Sequence, residues 1–173
     1  LLAQAWEVSP DRLSYTFHLN PAAKFASGAA VDAAAVVQNI ERMRADTKLV
    51  DALRAQVDLI ESAEAADATK VVIKLTRPSL LWLYEMSSTA GMILDPAYTG
   101  DLNTTSAGSG PYAVKKHNRG QSVVLAANIG YWANPARFDE VTFNYLPDPN
   151  AQNASMLSGD LDAISNLQAP DSL

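Results

Sequence analysis

Asp160 and Asp162 are the residues whose type and spacing could support hydrolytic chemistry. If residues 161–164 form a short strand, both carboxylates point to the same face of it, as the paired acids of glycosidases do. A solvated strand end explains the same pattern and is the favoured interpretation. The sequence has no Ser-His-Asp, His-Glu-x-x-His or Gly-x-Ser-x-Gly arrangement. We therefore expect no catalytic residues and keep a carboxylate-dependent hydrolase as the alternative function.

Two histidines and one glycine-rich segment could belong to metal or nucleotide sites. His18 lies on the polar face of an alternating segment and His117 lies near a turn, and neither has a second ligand residue at metal-binding spacing. The segment Gly108-Ser109-Gly110-Pro111-Tyr112 lacks the Gly-Lys-Ser/Thr ending of a phosphate-binding loop and the third glycine of a dinucleotide fingerprint. We expect neither a metal nor a cofactor.

Aromatic side chains provide the candidate contacts with a small ligand. Trp82 and Tyr84 lie in residues 80–86, a segment that is apolar on nearly every side. Such segments line ligand pockets but also fill cores; the core interpretation is favoured, with contact between Trp82 or Tyr84 and a ligand as the alternative. Tyr112 could likewise face a ligand, or it could pack with its hydroxyl bonded to the backbone.

Neutral amides near the end of the chain are the best polar candidates. Asn166 and Gln168 could hydrogen-bond the backbone of a bound peptide. The adjacent aromatics Tyr131 and Trp132 could stack on a ligand, although they more commonly anchor a loop. Ligand contact is therefore predicted for Trp82, Tyr84, Tyr112, Asn166 and Gln168.

Composition excludes several other classes. A net charge of −6 without a basic stripe argues against nucleic acid as a partner. The 173 residues include no cysteine, 48% are hydrophobic, and the longest apolar run, residues 80–86, is too short to span a membrane. The sequence begins at Leu1 without an initiator Met or an export signal, so we expect any such signal to lie upstream.

The first part of the chain predicts a strand followed by a helix. Residues 13–19 alternate strictly between apolar and polar side chains, which is typical of a half-buried strand. Asp32 is placed to cap a helix over residues 33–45. Residues 46–56 are compatible with either a second helix or a loop.

The next segments predict a hairpin and a short helix. Residues 57–65 and Lys70–Leu75 are strand-like and flank a tight connection. Ser79 can cap a helix over residues 80–86. Residues 95–110 have no period and predict a long surface connection.

The last third predicts a second strand-rich unit. Its strand-like runs are residues 113–117, Ser122–Ala127 and residues 141–145. Gly120 lies in the first turn, where a positive φ is needed. Asn150 can cap a helix that runs to about Ser158, with Gly159 as the residue after its end, and residues 161–164 form the further short strand.

Ordered landmarks over nearly the whole chain resemble one family. They are Trp6-Glu7-Val8-Ser9, Tyr15-Thr16-Phe17-His18-Leu19, the hairpin with Thr69-Lys70-Val71, Gly108-Ser109-Gly110-Pro111-Tyr112, Tyr131-Trp132 and Leu157-Ser158-Gly159-Asp160-Leu161-Asp162. This set resembles the peptide, nickel and opine class of periplasmic solute-binding proteins, the receptors of ABC importers. Asp32 replaces the usual Thr cap and Ser27 replaces an acidic residue, and these departures affect stability more than ligand chemistry.

The resemblance implies a mixed α/β fold, a partial periplasmic-binding-protein type II-like fold. Residues 1–100 would form the small accessory subdomain and residues 103–173 part of the first large lobe, while the second lobe would be absent. The implied function is capture of a small solute, with a short peptide preferred to nickel, a sugar or an opine, and its delivery to a membrane permease. The location would be periplasmic or extracellular, with membrane attachment if the parent is a lipoprotein. Exposed lobe surfaces could instead make the chain a structural, self-associating fragment.

Overall fold

A four-stranded antiparallel sheet organises the first half of the chain. The structure is a computed structural model that describes residues 2–166. The strands are β1 (Ala3–Val8), β2 (Ser14–Leu19), β3 (Ile60–Ala65) and β4 (Lys70–Leu75), in the order β1-β2-β4-β3. The predicted alternation in β2 is confirmed, because Tyr15 and Leu19 are buried on the face that carries Phe17. This face forms the floor of the main core.

Helix α1 (Ala33–Ala45) packs over the sheet and starts where the sequence predicts. The carboxylate of Asp32 accepts a hydrogen bond from the amide of Ala35 at 2.8 Å, which confirms the predicted cap. Ile40 and Met43 are buried in the core together with residues of β2 and β4. The uncertain segment that follows contains helix α2 (Asp51–Val57).

The predicted hairpin is β3 and β4. Its first strand begins at Ile60 and not at Val57, because α2 continues to Val57, whose side chain is fully buried in the core. In the connection, Asp67 accepts hydrogen bonds from the amide and the hydroxyl of Thr69, at 2.8 and 3.1 Å. Both hydrogen bonds lie within the turn and stabilise it.

A short helix and an irregular segment follow the sheet. Helix α3 (Trp82–Glu85) is shorter than the predicted residues 80–86, although the hydroxyl of Ser79 accepts a hydrogen bond from the amide of Trp82 at 3.2 Å. A 3₁₀ turn covers Thr89–Gly91. Residues 92–111 contain no regular element, as predicted, but they are not wholly on the surface because Asp95 and Ala107 are buried.

The second half contains a separate three-stranded antiparallel sheet. Its strands are β5 (Tyr112–Asn118), β6 (Ser122–Ala127) and β7 (Glu140–Asn144), in that order. Gly120 adopts a φ of 73° in the β5–β6 turn, as predicted. The three predicted strands of this region are confirmed.

Two predictions at the end of the described chain are wrong. Helix α4 (Pro149–Ser158) is capped by Asp148 and not by Asn150: the Asp148 carboxylate accepts from the Asn150 amide at 2.8 Å, and Pro149 occupies the first turn. Residues 161–164 form no strand, because no neighbouring strand pairs with them. Gly159 does end the helix, with a φ of 83°.

Contacts join the N-terminal region to the segment around the second sheet. The amide of Ala26 donates to the carbonyl of Gly108 at 3.1 Å. Trp132 packs against a small buried cluster that includes Phe25 and Val31, and its indole donates to the carbonyl of Ser109 at 2.9 Å. Trp132 therefore anchors its loop. Over residues 2–166, none of the helices has the length and hydropathy required to cross a membrane.

Candidate ligand groove

A groove of about 670 Å³ lies between the first sheet, α1 and residues 82–93. Strands β1, β2 and β4 form its floor and α1 forms one side. Its lining side chains are mostly apolar and include Leu2, Trp6, Phe17, Val36, Ile40, Met43, Val71, Trp82, Leu83, Met86, Met92 and Ile93. A groove of this volume and lining is typical of a site for an apolar ligand or side chain.

Two features of the lining restrict what the groove can bind. Among the described residues that line it none is ionisable, so the lining offers no opposite charge to a charged group. Met43, Met86 and Met92 are three of the four methionines of the chain. Because a methionine side chain is flexible and polarisable, such a lining adapts to apolar groups of different shape.

The polar residues at the rim are largely engaged. Ser87 donates its hydroxyl to the carbonyl of Tyr84, and Ser88 donates to the carbonyl of Glu85, both at 2.6 Å. These bonds hold the turn after α3. Because these hydroxyls already donate to the backbone, we expect the groove to select its ligand by shape and apolar contact.

Trp82 is a predicted ligand residue that lines this groove. Its side chain is fully buried, its indole donates to the carbonyl of Gln56 at 3.3 Å, and its ring lies 4.8 Å from the ring of Tyr15. Trp82 therefore supports the groove from the core. Tyr84 is 76% exposed on the other side of α3 and does not line it.

Two further predicted ligand residues, Tyr112 and Asn166, lie outside the groove lining. Tyr112 is half-buried in the second sheet, where its hydroxyl accepts a hydrogen bond from the amide of Phe138 at 3.3 Å. Asn166 is exposed at the end of the described chain, and Gln168 lies outside the described residues. The structure does not bring Tyr112 or Asn166 to the groove.

The candidate hydrolytic pair lacks the arrangement expected of it. Asp160 accepts a hydrogen bond from the hydroxyl of Ser158 at 2.7 Å, and Asp162 is exposed. Because residues 161–164 form no strand, no shared strand face aligns the two carboxylates. The pair therefore lacks the geometric basis of the hydrolase alternative.

Both histidines have local partners. His18 Nε2 lies 3.1 Å from Glu7 Oε1 across the β1–β2 pair, and His117 Nδ1 lies 2.7 Å from the carbonyl of Asn103. Within the described part of the chain, no group of three or more His, Asp or Glu side chains could hold a metal ion.

Lowered carboxyl pKa values occur at turns and not in the groove. Hydrogen bonds from the Ser9 hydroxyl and the Leu13 amide lower the pKa of Asp11. The pKa of Asp67 is lowered by the Thr69 amide, and that of Asp101 by the backbone and side chain of Asn103. All three carboxylates are fully exposed and close turns, which is a structural role.

Comparison with known proteins decides the family. Residues 1–173 match the family described as "Bacterial extracellular solute-binding proteins, family 5 Middle". The chain belongs to this family. The resemblance inferred from the sequence landmarks is thereby confirmed.

Individual family 5 relatives agree with this assignment. The chain is 29% identical, over 96% of its length, to "Probable D,D-dipeptide-binding periplasmic protein DdpA" of Escherichia coli, of which it covers 33%. It is 30% identical, over 92% of its length, to "Di/tripeptide-binding protein 4" of Pseudomonas aeruginosa, of which it covers 34%. The chain thus spans about a third of the length of the curated relatives it matches.

A solved binding-protein structure matches the fold. The binding protein AgaA of A. tumefaciens R10, solved in complex with agropinic acid, superposes with a TM-score of 0.82 and 29% identity, over 93% of this chain and 33% of AgaA. The predicted fold class, a mixed α/β fold that forms part of a type II periplasmic-binding-protein architecture, is confirmed.

Proposed function

We propose that this chain is part of the solute-binding component of an ABC importer, which captures a small solute, a short peptide by preference, and delivers it to a membrane permease. The family match over all 173 residues carries the proposal. Relatives with dipeptides or tripeptides in their names favour the peptide. Binding proteins of this kind make and break no bond in their ligand, and the periplasmic names of relatives favour a periplasmic location.

The groove is the part of this chain best suited to hold an apolar portion of the solute. Its uncharged lining suits a peptide side chain and leaves the charged peptide termini to partners elsewhere in the parent protein. We propose that Tyr84, Tyr112, Asn166 and Gln168 contact the ligand in the full-length parent, where further parts of the protein complete the site. Trp82 supports the groove from within the core.

The same proposal covers the organisation of the parent. Residues 1–100 would form an accessory subdomain and residues 103–173 part of a first lobe, with the opposite wall contributed by a second lobe. Two separate sheets, on either side of residues 92–111, support this division. Lipid attachment of the parent is compatible with the proposal.

Thermal unfolding of the full-length parent tests the function. We expect dipeptides and tripeptides to stabilise it, by about 2.7 kcal/mol when free peptide is present at 100 times its Kd. Nickel, a sugar and an opine serve as competing ligand classes. If none of these ligands changes the unfolding temperature, the receptor function is wrong; if only a non-peptide does, the peptide preference is wrong.

Self-association of the isolated chain is an alternative that one observation favours. Phe138, Phe143 and Leu157 are largely exposed and Ile129 fully so, all in the second half of the chain. An exposed apolar surface of this kind promotes contact between copies. Light scattering on the isolated chain distinguishes a monomer from larger species.

A further inference from the structure

A second, smaller pocket lies beside a different face of α1 from the apolar groove. It has a volume of about 240 Å³ and lies between α1 and the irregular segment 94–107. Its lining residues are Gln38, Asn39, Arg42, Leu94, Asp95, Pro96, Tyr98, Leu102 and Ala107. Unlike the groove, this pocket is bordered by one residue of each charge.

Asn39 fixes the geometry of the pocket. Its side chain is almost fully buried; its amide nitrogen donates to the carbonyls of Ala35 and Leu94 at 2.9 and 2.7 Å, and its oxygen accepts from the amide of Leu94 at 3.0 Å. The side chain thus pairs with both backbone groups of Leu94. The segment that forms the far wall is therefore held firmly to the helix.

Arg42 presents a guanidinium with most of its donors available. Among the described residues, its guanidinium makes one hydrogen bond, from Nη2 to Asn39 Oδ1 at 3.3 Å. Over residues 2–166, no carboxylate lies within ion-pair distance of Arg42, whereas Arg44 of the same helix is paired with Glu41 at 3.1 Å. A guanidinium with free donors at a pocket mouth is well suited to a carboxylate.

Asp95 places the opposite charge in the pocket wall. Its side chain is 8% exposed, one carboxylate oxygen accepts from the Ser27 hydroxyl at 2.5 Å, and the other accepts from the amide of Ala97 at 2.9 Å. Each oxygen can accept a further bond. The carboxylate is therefore positioned rigidly and can still receive a donor from a ligand.

We propose that this pocket is a binding site for a small zwitterion, of the size and class of a free α-amino acid. A ligand with only a carboxylate would meet repulsion from Asp95, and one with only an ammonium group would meet repulsion from Arg42. A ligand that carries both satisfies both residues, with its carboxylate on Arg42 and its ammonium group towards Asp95. The proposal does not depend on the transport function.

The walls between the two charges suit an aliphatic side chain. Leu94, Pro96, Leu102 and Ala107 supply apolar surface. The Tyr98 hydroxyl is hydrogen-bonded to Thr105, which holds its ring at the border of the pocket. The site therefore favours a small aliphatic amino acid over a charged one.

Calorimetric titration of the 173-residue chain tests the proposal. The probes are L-alanine and L-leucine, with acetate and methylammonium as ligands that carry a single charge. We expect the amino acids to bind and the singly charged probes to bind at least about tenfold more weakly, because each loses one charge-assisted bond. Equal binding of acetate, or no heat with either amino acid, would overturn the proposal.

Two matched substitutions in α1 test whether the amino acid binds at Arg42. Arg42→Gln removes the free guanidinium and should weaken amino-acid binding by about tenfold or more. Arg44→Gln lies in the same last turn of α1 but does not line the pocket, and it should leave the affinity unchanged. Unchanged affinity in Arg42→Gln, or an equal loss in both variants, contradicts the assignment. Circular dichroism and thermal unfolding confirm that both variants remain folded.

Discussion

At the scale of single residues, Asn39 links local structure to both candidate sites. Its helix lies between the apolar groove and the charged pocket. The buried amide of Asn39 hydrogen-bonds both the amide and the carbonyl of Leu94. These bonds satisfy backbone groups that a neighbouring strand would pair with in a sheet. The Asn39 side chain therefore fixes the distance between α1 and residues 93–94, of which Ile93 lines the groove and Leu94 lines the pocket.

Replacing Asn39 should destabilise the whole chain. In Asn39→Ala the amide and carbonyl of Leu94 lose their partners, which should lower the free energy of unfolding by about 1–3 kcal/mol. Urea denaturation measures this loss. Gln38→Ala, on the exposed side of the same turn, should change the stability by less than about 0.5 kcal/mol. If Asn39→Ala loses no more stability than the control, the hydrogen bonds between Asn39 and Leu94 do not stabilise the fold.

At the scale of elements, the sequence predicted helices that begin with a capping residue and strands in which apolar and polar residues alternate. Helix α1 was predictable because Asp32 caps it, and β2 because its apolar residues recur at every second position. Strand β1 gave no such signal, since it is an edge strand with mostly exposed side chains, among them a half-exposed Trp6. Acidic and apolar residues alternate over residues 160–163, but alternation forms a strand only where a partner strand is available.

The groove could not be predicted, because its walls come from segments distant in sequence. Residues 2–19, 36–43 and 82–93 meet only in the folded chain. Of the predicted ligand residues that the structure describes, only Trp82 lies there, and neither Met43 nor Met92 was predicted to line a ligand site. Met43 has a helical spacing that indicated a core position, and Met92 lies in a segment without any period.

A charge introduced into the groove should weaken its affinity for apolar probes. Met92→Glu places a carboxylate in an uncharged lining, and we expect it to reduce the fluorescence of bound Nile red severalfold. Met92 is more than half exposed, so the substitution should not unfold the chain. Leu81→Glu is the matched control, because Leu81 is equally exposed but does not line the groove. Equal dye binding by the two variants would place the apolar site elsewhere.

At the scale of the whole molecule, the chain has one well-covered sheet and one poorly covered sheet. The first sheet is covered by α1 and α3 and contributes most of the core. In the second sheet, every residue of β6 is only partly buried and most residues of β7 are exposed. This asymmetry is consistent with a chain that spans a third of the length of its relatives.

The exposed second sheet predicts concentration-dependent association of the isolated chain. We expect light scattering to detect species larger than the monomer as the concentration rises, because apolar side chains such as Phe143 are removed from water in the contact. Phe143→Ser should shift the distribution towards monomer, while Leu80→Ser, on an exposed residue near α3, should not. A monomer at all concentrations, or an equal effect of the two substitutions, contradicts this surface as the contact.

The different linings of the two concave sites imply different responses to ionic strength. Mobile ions screen interactions between charges over about 10 Å at 0.1 M salt, and they hardly weaken apolar contacts. Added sodium chloride should therefore weaken the binding of a zwitterion held between Arg42 and Asp95 more than that of an apolar probe beside Met92. A single salt titration with both probes present would thus report on each site separately.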